Sequence, residues 1–185
     1  MRKTLFIFFS LFAFLNVRAQ KGTVLLYGNI YYYKDSRKIG QDYKASNAGF
    51  MPAVGVGISE KYTTGLNLVY SYYRSGGTSH VYGAGPFVRY TNRLTEVFSY
   101  FFQFNGSYRK SDSPGDYVDK TLHFETFPAI ELNIKNGFAL NASFGGISYE
   151  RRSISDLEGA NSSFRFDLGS SALIGVSKRF GKRKQ

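Results

Sequence analysis

Large apolar side chains recur on even-numbered positions from about residue 48 to Phe180, and small or polar ones fill the odd positions between them. Around Leu122 the even positions read Leu122, Phe124, Thr126, Pro128, Ile130, Leu132 and Ile134, against Thr121, His123, Glu125, Phe127, Ala129, Glu131 and Asn133. A β-strand sends successive side chains to opposite faces, so each such segment has one oily face and one wet face. Eight segments can be drawn, at about 22–34, 48–59, 63–74, 79–91, 95–109, 120–135, 137–151 and 163–180. All are longer than the five or six residues or so typical of soluble strands, and they match the roughly nine to eleven that cross a membrane at a tilt. No helical periodicity of useful length competes, and an aromatic content of 18% with 20 glycines is strand-and-turn chemistry. The expected fold class is all-β.

The connections alternate in length. Long polar stretches follow the odd-numbered strands, at 35–47, 75–78 (the shortest), 110–119 and 152–162, whereas tight turns follow the even-numbered ones, near Glu60-Lys61, Asn92-Arg93 and Asn136-Gly137. Short turns on one side and longer loops on the other are the habit of membrane-spanning barrels, and an Asn-Gly pair between strands is a strong hairpin signal. Consecutive hairpins with an even strand count predict an eight-stranded antiparallel up-and-down β-barrel.

Two inside-out barrels fit such strands. A soluble lipocalin-like carrier would turn the even face inward around an apolar ligand, and a transmembrane barrel would turn it outward into lipid. The interior of an eight-stranded barrel is only just wide enough for side chains to fill it. The Phe and Tyr rings of the even face would overfill that space, whereas the Gly, Ser and Asn of the odd face fit. A soluble exterior would also carry more Lys and Glu than the odd face does. The transmembrane orientation is therefore expected, with two aromatic belts. Tyr32, Phe50, Tyr72, Tyr82, Tyr108 and Phe164 lie toward the long loops, and Ile58, Tyr90, Phe98, Phe138 and Phe180 toward the short turns. The first strand is apolar on both faces at Val24 to Tyr27 and Tyr31 to Tyr33, so parity does not set its register.

The N-terminus adds a compartment. Met1-Arg2-Lys3, an apolar run from Leu5 to Leu15, and Asn16-Val17-Arg18-Ala19-Gln20 have the order of a secretory signal peptide, which predicts residues 1–19 as a leader cut after Ala19. The barrel would then occupy residues 20–180, followed by a basic tail at 181–185. Loss of Arg2, Lys3 and Arg18 lowers the formal charge from +11 to +8. Five of the remaining cations, Lys178, Arg179, Lys182, Arg183 and Lys184, crowd the C-terminal end. In an exported chain this points to solvated ends or anionic lipid head groups, and not to nucleic acid. With no cysteine, stability must come from strand closure and burial.

These features resemble the small outer-membrane β-barrel family of Gram-negative bacteria, the eight-stranded barrels like the transmembrane domain of OmpA and like OmpX. The resemblance covers Gly22 to Phe180 and is carried by the strand pattern and by the last strand, from Ser171 to Phe180, which ends on an aromatic with Gly175 five positions before it. It implies that Gly175 and Phe180 belong to the signal read by the barrel assembly machinery. It also implies an outer-membrane location among outer-membrane lipids and lipopolysaccharide. Lys178, at a position usually apolar in the family, and the tail after Phe180 depart from the pattern.

Candidate chemistry lies on the odd face. Arg89, Arg109, His123, Glu125, Glu131, Arg165 and Asp167 would point into the lumen, where charges must be paired and hydrogen-bonded. They would form either an ion or proton path or a polar plug, and so narrow a lumen favours the plug. His123 and Glu125 share a face two residues apart, compatible with a hydrogen-bonded general base. Some small barrels modify lipid A with Ser, His and a carboxylate. His80 lies on the even face at the outer end of its strand, with Ser75, Ser79 or Ser148 as candidate neighbours, but no spacing of those families is matched. Gly55-Val56-Gly57 and Gly83-Ala84-Gly85 lie within strands, so close packing explains them better than phosphate binding. Asp112, Asp116 and Asp119 depart from Ca²⁺-loop spacing. The glycosylation-like triplets at Asn105, Asn141 and Asn161 are frequent chance matches. The expected protein is a monomer without catalytic residues, metal or cofactor. Its role would be structural or interactive through outer loops, where Arg37, Lys38, Lys44, Arg151 and Arg152 could meet lipopolysaccharide phosphates or another surface. A lipid A-modifying enzyme and a soluble carrier are the alternatives.

Overall fold

In a computed structural model the described residues, 23–39, 41–112, 118–154 and 159–181, form eight antiparallel strands closed in sequence order into a barrel. The strands are β1 (Val24–Ile39), β2 (Gln41–Gly57), β3 (Tyr62–Arg74), β4 (Thr78–Arg93), β5 (Phe98–Asp112), β6 (Val118–Asn133), β7 (Phe138–Ile154) and β8 (Ala160–Phe180). The proposed leader, the tail beyond Gly181 and Asp116 lie outside the described residues.

Parity becomes direction. Phe50, Leu66, Leu68, Phe102, Phe104, Ile130 and Phe138 are exposed on the outer wall, while Ala53, Phe87, Phe101, Gln103, Ala129 and Asn141 are buried inside. A wall this apolar facing outward, over a lumen this polar, is the arrangement of a transmembrane barrel and the inverse of an apolar-ligand carrier. The register of β1 follows the same rule, with Leu25 buried against Ala53 and Phe87, and Leu26 and Ile30 exposed.

The turns at the inner end obey local chemistry. Asn136 (φ 55°) and Gly137 (φ 78°) are both left-handed, as a two-residue hairpin turn requires. The turn after β4 lies at Leu94–Val97, later than Asn92-Arg93 suggested, because the Thr95 hydroxyl accepts from the backbone N–H of Val97 at 3.2 Å and of Phe98 at 2.9 Å. At the outer end the long loops expected at 35–47 and 152–162 are largely strand. The β1–β2 ladder runs out to Ile39 and Gln41, and the β7–β8 ladder to Ser153 and Ala160. Backbone pairing needs no apolar side chains, so a hairpin can continue past the level where hydrophobic alternation ends.

Two irregularities redirect side chains. Between β6 and β7 the register shifts by one residue, from Thr126 opposite Ile147 to Ala129 opposite Ser143. This bulge, at Gly145-Gly146, reverses the parity of the outer half of β7: Ile147 and Tyr149 face outward, while Ser148, Glu150 and Arg152 line the lumen. Across β7–β8, Phe144 pairs with Ala172 but Gly145 pairs with Leu168, leaving residues 169–171 without partners in β7. Gly169 within that insertion has φ +82°. The last closure is short: β1 pairs with β8 only from Val24–Phe180 to Asn29–Gly175.

Candidate functional site

The lumen is organised around Arg89, which projects inward from the odd face of β4 and is fully buried. Its guanidinium carbon lies 4.4 Å from the centre of the Tyr27 ring and 4.0 Å from that of Phe101, between two aromatic faces. Such contacts with a desolvated cation contribute about 2 kcal/mol or more. Its Nε donates to Gln103 Oε1 at 2.7 Å, and its Nη1 lies 3.9 Å from Glu131 Oε2. Glu131 also meets Arg179, whose Nη2 donates to Oε2 at 3.1 Å and stands 2.9 Å from Oε1. Beside this group the Phe87 ring lies over Gly55 and Gly65, where any Cβ would collide with it. That is the packing role expected of a glycine inside a strand.

A chain of polar contacts climbs from Arg89 toward the outer end. Gln103 Nε2 donates to Asn105 Oδ1 at 2.8 Å, and Asn105 Nδ2 to Glu125 Oε1 at 2.6 Å. His123 then stands between two carboxylates, Nε2 being 3.3 Å from Glu125 Oε2 and Nδ1 2.9 Å from Glu150 Oε1. His123 thus bridges the two carboxylates, one at each ring nitrogen. Arg109 adds an Nη1 contact 3.9 Å from Glu150 Oε1 and donates from Nε to Ser107 Oγ at 3.1 Å. The result is one connected network from Arg179 to Arg109.

Of the residues singled out in the sequence, the network joins Arg89, Arg109, His123, Glu125 and Glu131. Arg165 and Asp167 line the outer part of the same lumen, but Arg165 is exposed and has no hydrogen bond or ion pair among the described residues. Gly175 is buried against Asn29, and Phe180 sits exposed opposite Val24 at the inner rim. Sequence alternation places Gln103 on the inward face without joining it to the network, and it misses Glu150, Arg179 and the Tyr27–Phe101 clamp. The Gly145-Gly146 pair was the available signal for Glu150, since a bulge there turns an even position inward. The basic C-terminal end is expected to meet solvent or anionic head groups, but Arg179 turns inward to Glu131, as its odd position implies.

One expectation is corrected. Arg152, expected in an outer loop, faces inward on β7 and pairs with the buried Asp119. Asp112 is exposed on β5 and pairs with Lys110 at 3.1 Å, so Asp112 and Asp119 do not share a cation loop. The His80 ring lies among Tyr70 and Tyr82 on the outer wall, with Nδ1 3.4 Å from the Tyr70 hydroxyl. Ser79 turns inward to Ser111 Oγ at 3.1 Å, and Ser148 lines the lumen. Among the described residues no group of three or more His, Cys, Asp or Glu could hold a metal.

The Arg89 layer separates two cavities. One, of about 1060 Å³, opens at the inner end and includes Thr91 and Arg179; the other, of about 710 Å³, lies toward the outer end and includes His123, Glu150 and Arg165. The closed barrel is similar in fold to neisserial surface protein A, with a TM-score of 0.54 over 85% of this chain and 97% of that one, at 12% identity. The fold is that of the small eight-stranded outer-membrane barrels. Two further outer-membrane-type barrels are similar at lower scores. They are Ail of Yersinia pestis (TM-score 0.40, 12% identity, 86% of this chain and 100% of that one) and a de novo designed transmembrane β-barrel (0.39, 11%, 86% and 96%). No protein-family model and no curated protein matches the sequence.

Proposed function

We propose that the protein is an exported, monomeric outer-membrane barrel, not an enzyme, whose lumen is plugged and whose role is structural or interactive at the outer hairpins. The observation that carries the plug is the layer of Phe87, Arg89, Phe101 and Glu131, none more than 1% exposed, lying between two cavities that share no lining residue. An open water path would leave such side chains wet. Outer-membrane lipids and lipopolysaccharide are the expected surroundings, with Arg151, exposed on the outer wall of β7, as one contact for phosphate. The barrel assembly machinery would read Gly175 and Phe180. The side chains of Arg37, Lys38 and Lys44 lie outside the described residues.

Two measurements test this reading. The protein should fractionate with the outer membrane and migrate on a gel differently before and after boiling, as a barrel that resists detergent unfolding; migration unchanged by heat and recovery in the soluble fraction would refute it. In planar bilayers the wild type should give no unitary current. The double variant Arg89→Ala/Phe101→Ala, which removes the guanidinium and one of the rings clamping it, should admit small cations. Steady wild-type conductance would mean that the layer does not seal the lumen.

A further inference from the structure

We propose that the outer half of the barrel is open between β1 and β8 and that this lateral notch holds one zwitterionic glycerophospholipid, its phosphate on Arg165 and an acyl chain along Ile30, Leu173 and Ile174. The inference rests on the membrane placement proposed above.

The notch follows from the ladders. Beyond Asn29–Gly175 the two strands make no pairs with each other, although β1 continues along β2 to Ile39 and β8 continues along β7 back to Ala160. The unpaired insertion at residues 169–171 lies in this part of β8, and such bulges bend the strand that carries them. Side-chain exposure reports the gap independently. The five most exposed large apolar side chains among the described residues all flank it: Ile30 (76%), Ile174 (71%), Phe164 (70%), Phe166 (65%) and Tyr32 (65%). Leu173, on the lumen face, is 42% exposed, whereas the inward Leu25, Phe87 and Phe101 are at most 2%.

Depth and chemistry choose the occupant. Phe164 pairs with Tyr149 in the outer aromatic belt, so Arg165, the next residue, stands at head-group level on the lumen side of the gap. Ile30 and Ile174 lie on the membrane side of that level, where an unpaired strand edge in hydrocarbon leaves backbone groups unsatisfied. A glycerophospholipid supplies oxygen acceptors for edge N–H groups, a phosphate for Arg165 and an apolar chain for the exposed isoleucines. The outer cavity beside Arg165 is lined by three arginines and four carboxylates, with His123 between two of the carboxylates. Such a balance suits a head group carrying both signs better than one carrying only negative charge.

Native mass spectrometry tests the proposal on protein first shown to be heat-modifiable and recovered from the membrane fraction, after equilibration with phosphatidylethanolamine, phosphatidylglycerol or lipid A. One phosphatidylethanolamine should be retained per barrel. Arg165→Ala should retain it about tenfold less, the loss of one charge-assisted contact, and Leu173→Trp, which fills the notch, should also expel it. Lys120→Ala, on the exposed wall of β6, should retain it as the wild type does. Equal retention by the Arg165 and Lys120 variants, preference for phosphatidylglycerol or lipid A, or dimers cross-linked through the β1 and β8 edges would overturn the proposal. A heat-modifiable barrel that retains no phospholipid defeats only this inference. A chain that never enters the membrane defeats the reading beneath it.

Discussion

Replacing Glu131 by alanine is expected to destabilise the folded barrel by about 3–5 kcal/mol, the usual cost of removing one partner of a buried ion pair. Glu131 is fully buried and is the shared counter-charge of Arg89 and Arg179. Without it two guanidinium groups share a lumen segment without their common counter-charge, and among the described residues Arg89 retains Gln103 and the two rings. Urea-dependent unfolding of the detergent-folded protein measures the effect as a lower midpoint at unchanged slope. A change within about 0.5 kcal/mol, the range of ordinary surface substitutions, would mean that the pair is hydrated and the layer porous.

The second large effect concerns the outer wall. Leu66 is exposed midway along β3, four residues from Tyr62 at the inner belt and four from Tyr70 at the outer one, so it marks the middle of the apolar band. Leu66→Arg should cost about 2–4 kcal/mol in a bilayer, as a cation at the midplane of a barrel wall does. The adjacent Asn67 points the other way and is buried in the lumen, where its Nδ2 makes no hydrogen bond within the described residues. Asn67→Ser should therefore change stability by less than about 1 kcal/mol. Equilibrium folding into lipid vesicles compares the two. Equal costs at these neighbouring positions would show that the strand faces do not meet different solvents.

Much of this arrangement was legible because one rule, alternation, governs both faces at once. It gave the strand count, the orientation of β2 to β6 and the inward placement of Arg89, Gln103, His123, Glu125 and Glu131. It failed where backbone geometry interrupts it. At Gly145-Gly146 one extra residue in β7 carries Glu150 and Arg152 from the lipid side to the lumen, and no feature of those two side chains announces the change. Alternation was also silent past the membrane, where 35–39 and 41–47 remain paired strand without an oily face. The partners within the site were the least legible part. That Tyr27 and Phe101 would clamp Arg89 depends on which strands face one another across the lumen, and a linear pattern holds no such information.

The six-pair closure between β1 and β8 has a kinetic consequence. It joins segments about 150 positions apart, the greatest separation in the barrel, and it is the smallest set of ladder pairs between neighbouring strands. Loop entropy makes that contact the costliest to form, and it is rewarded late because the hairpins on either side can assemble without it. Folding should therefore end with the two terminal strands meeting, and unfolding should begin by their parting. The lifetime of the folded protein is set where the chain's two ends are sewn together.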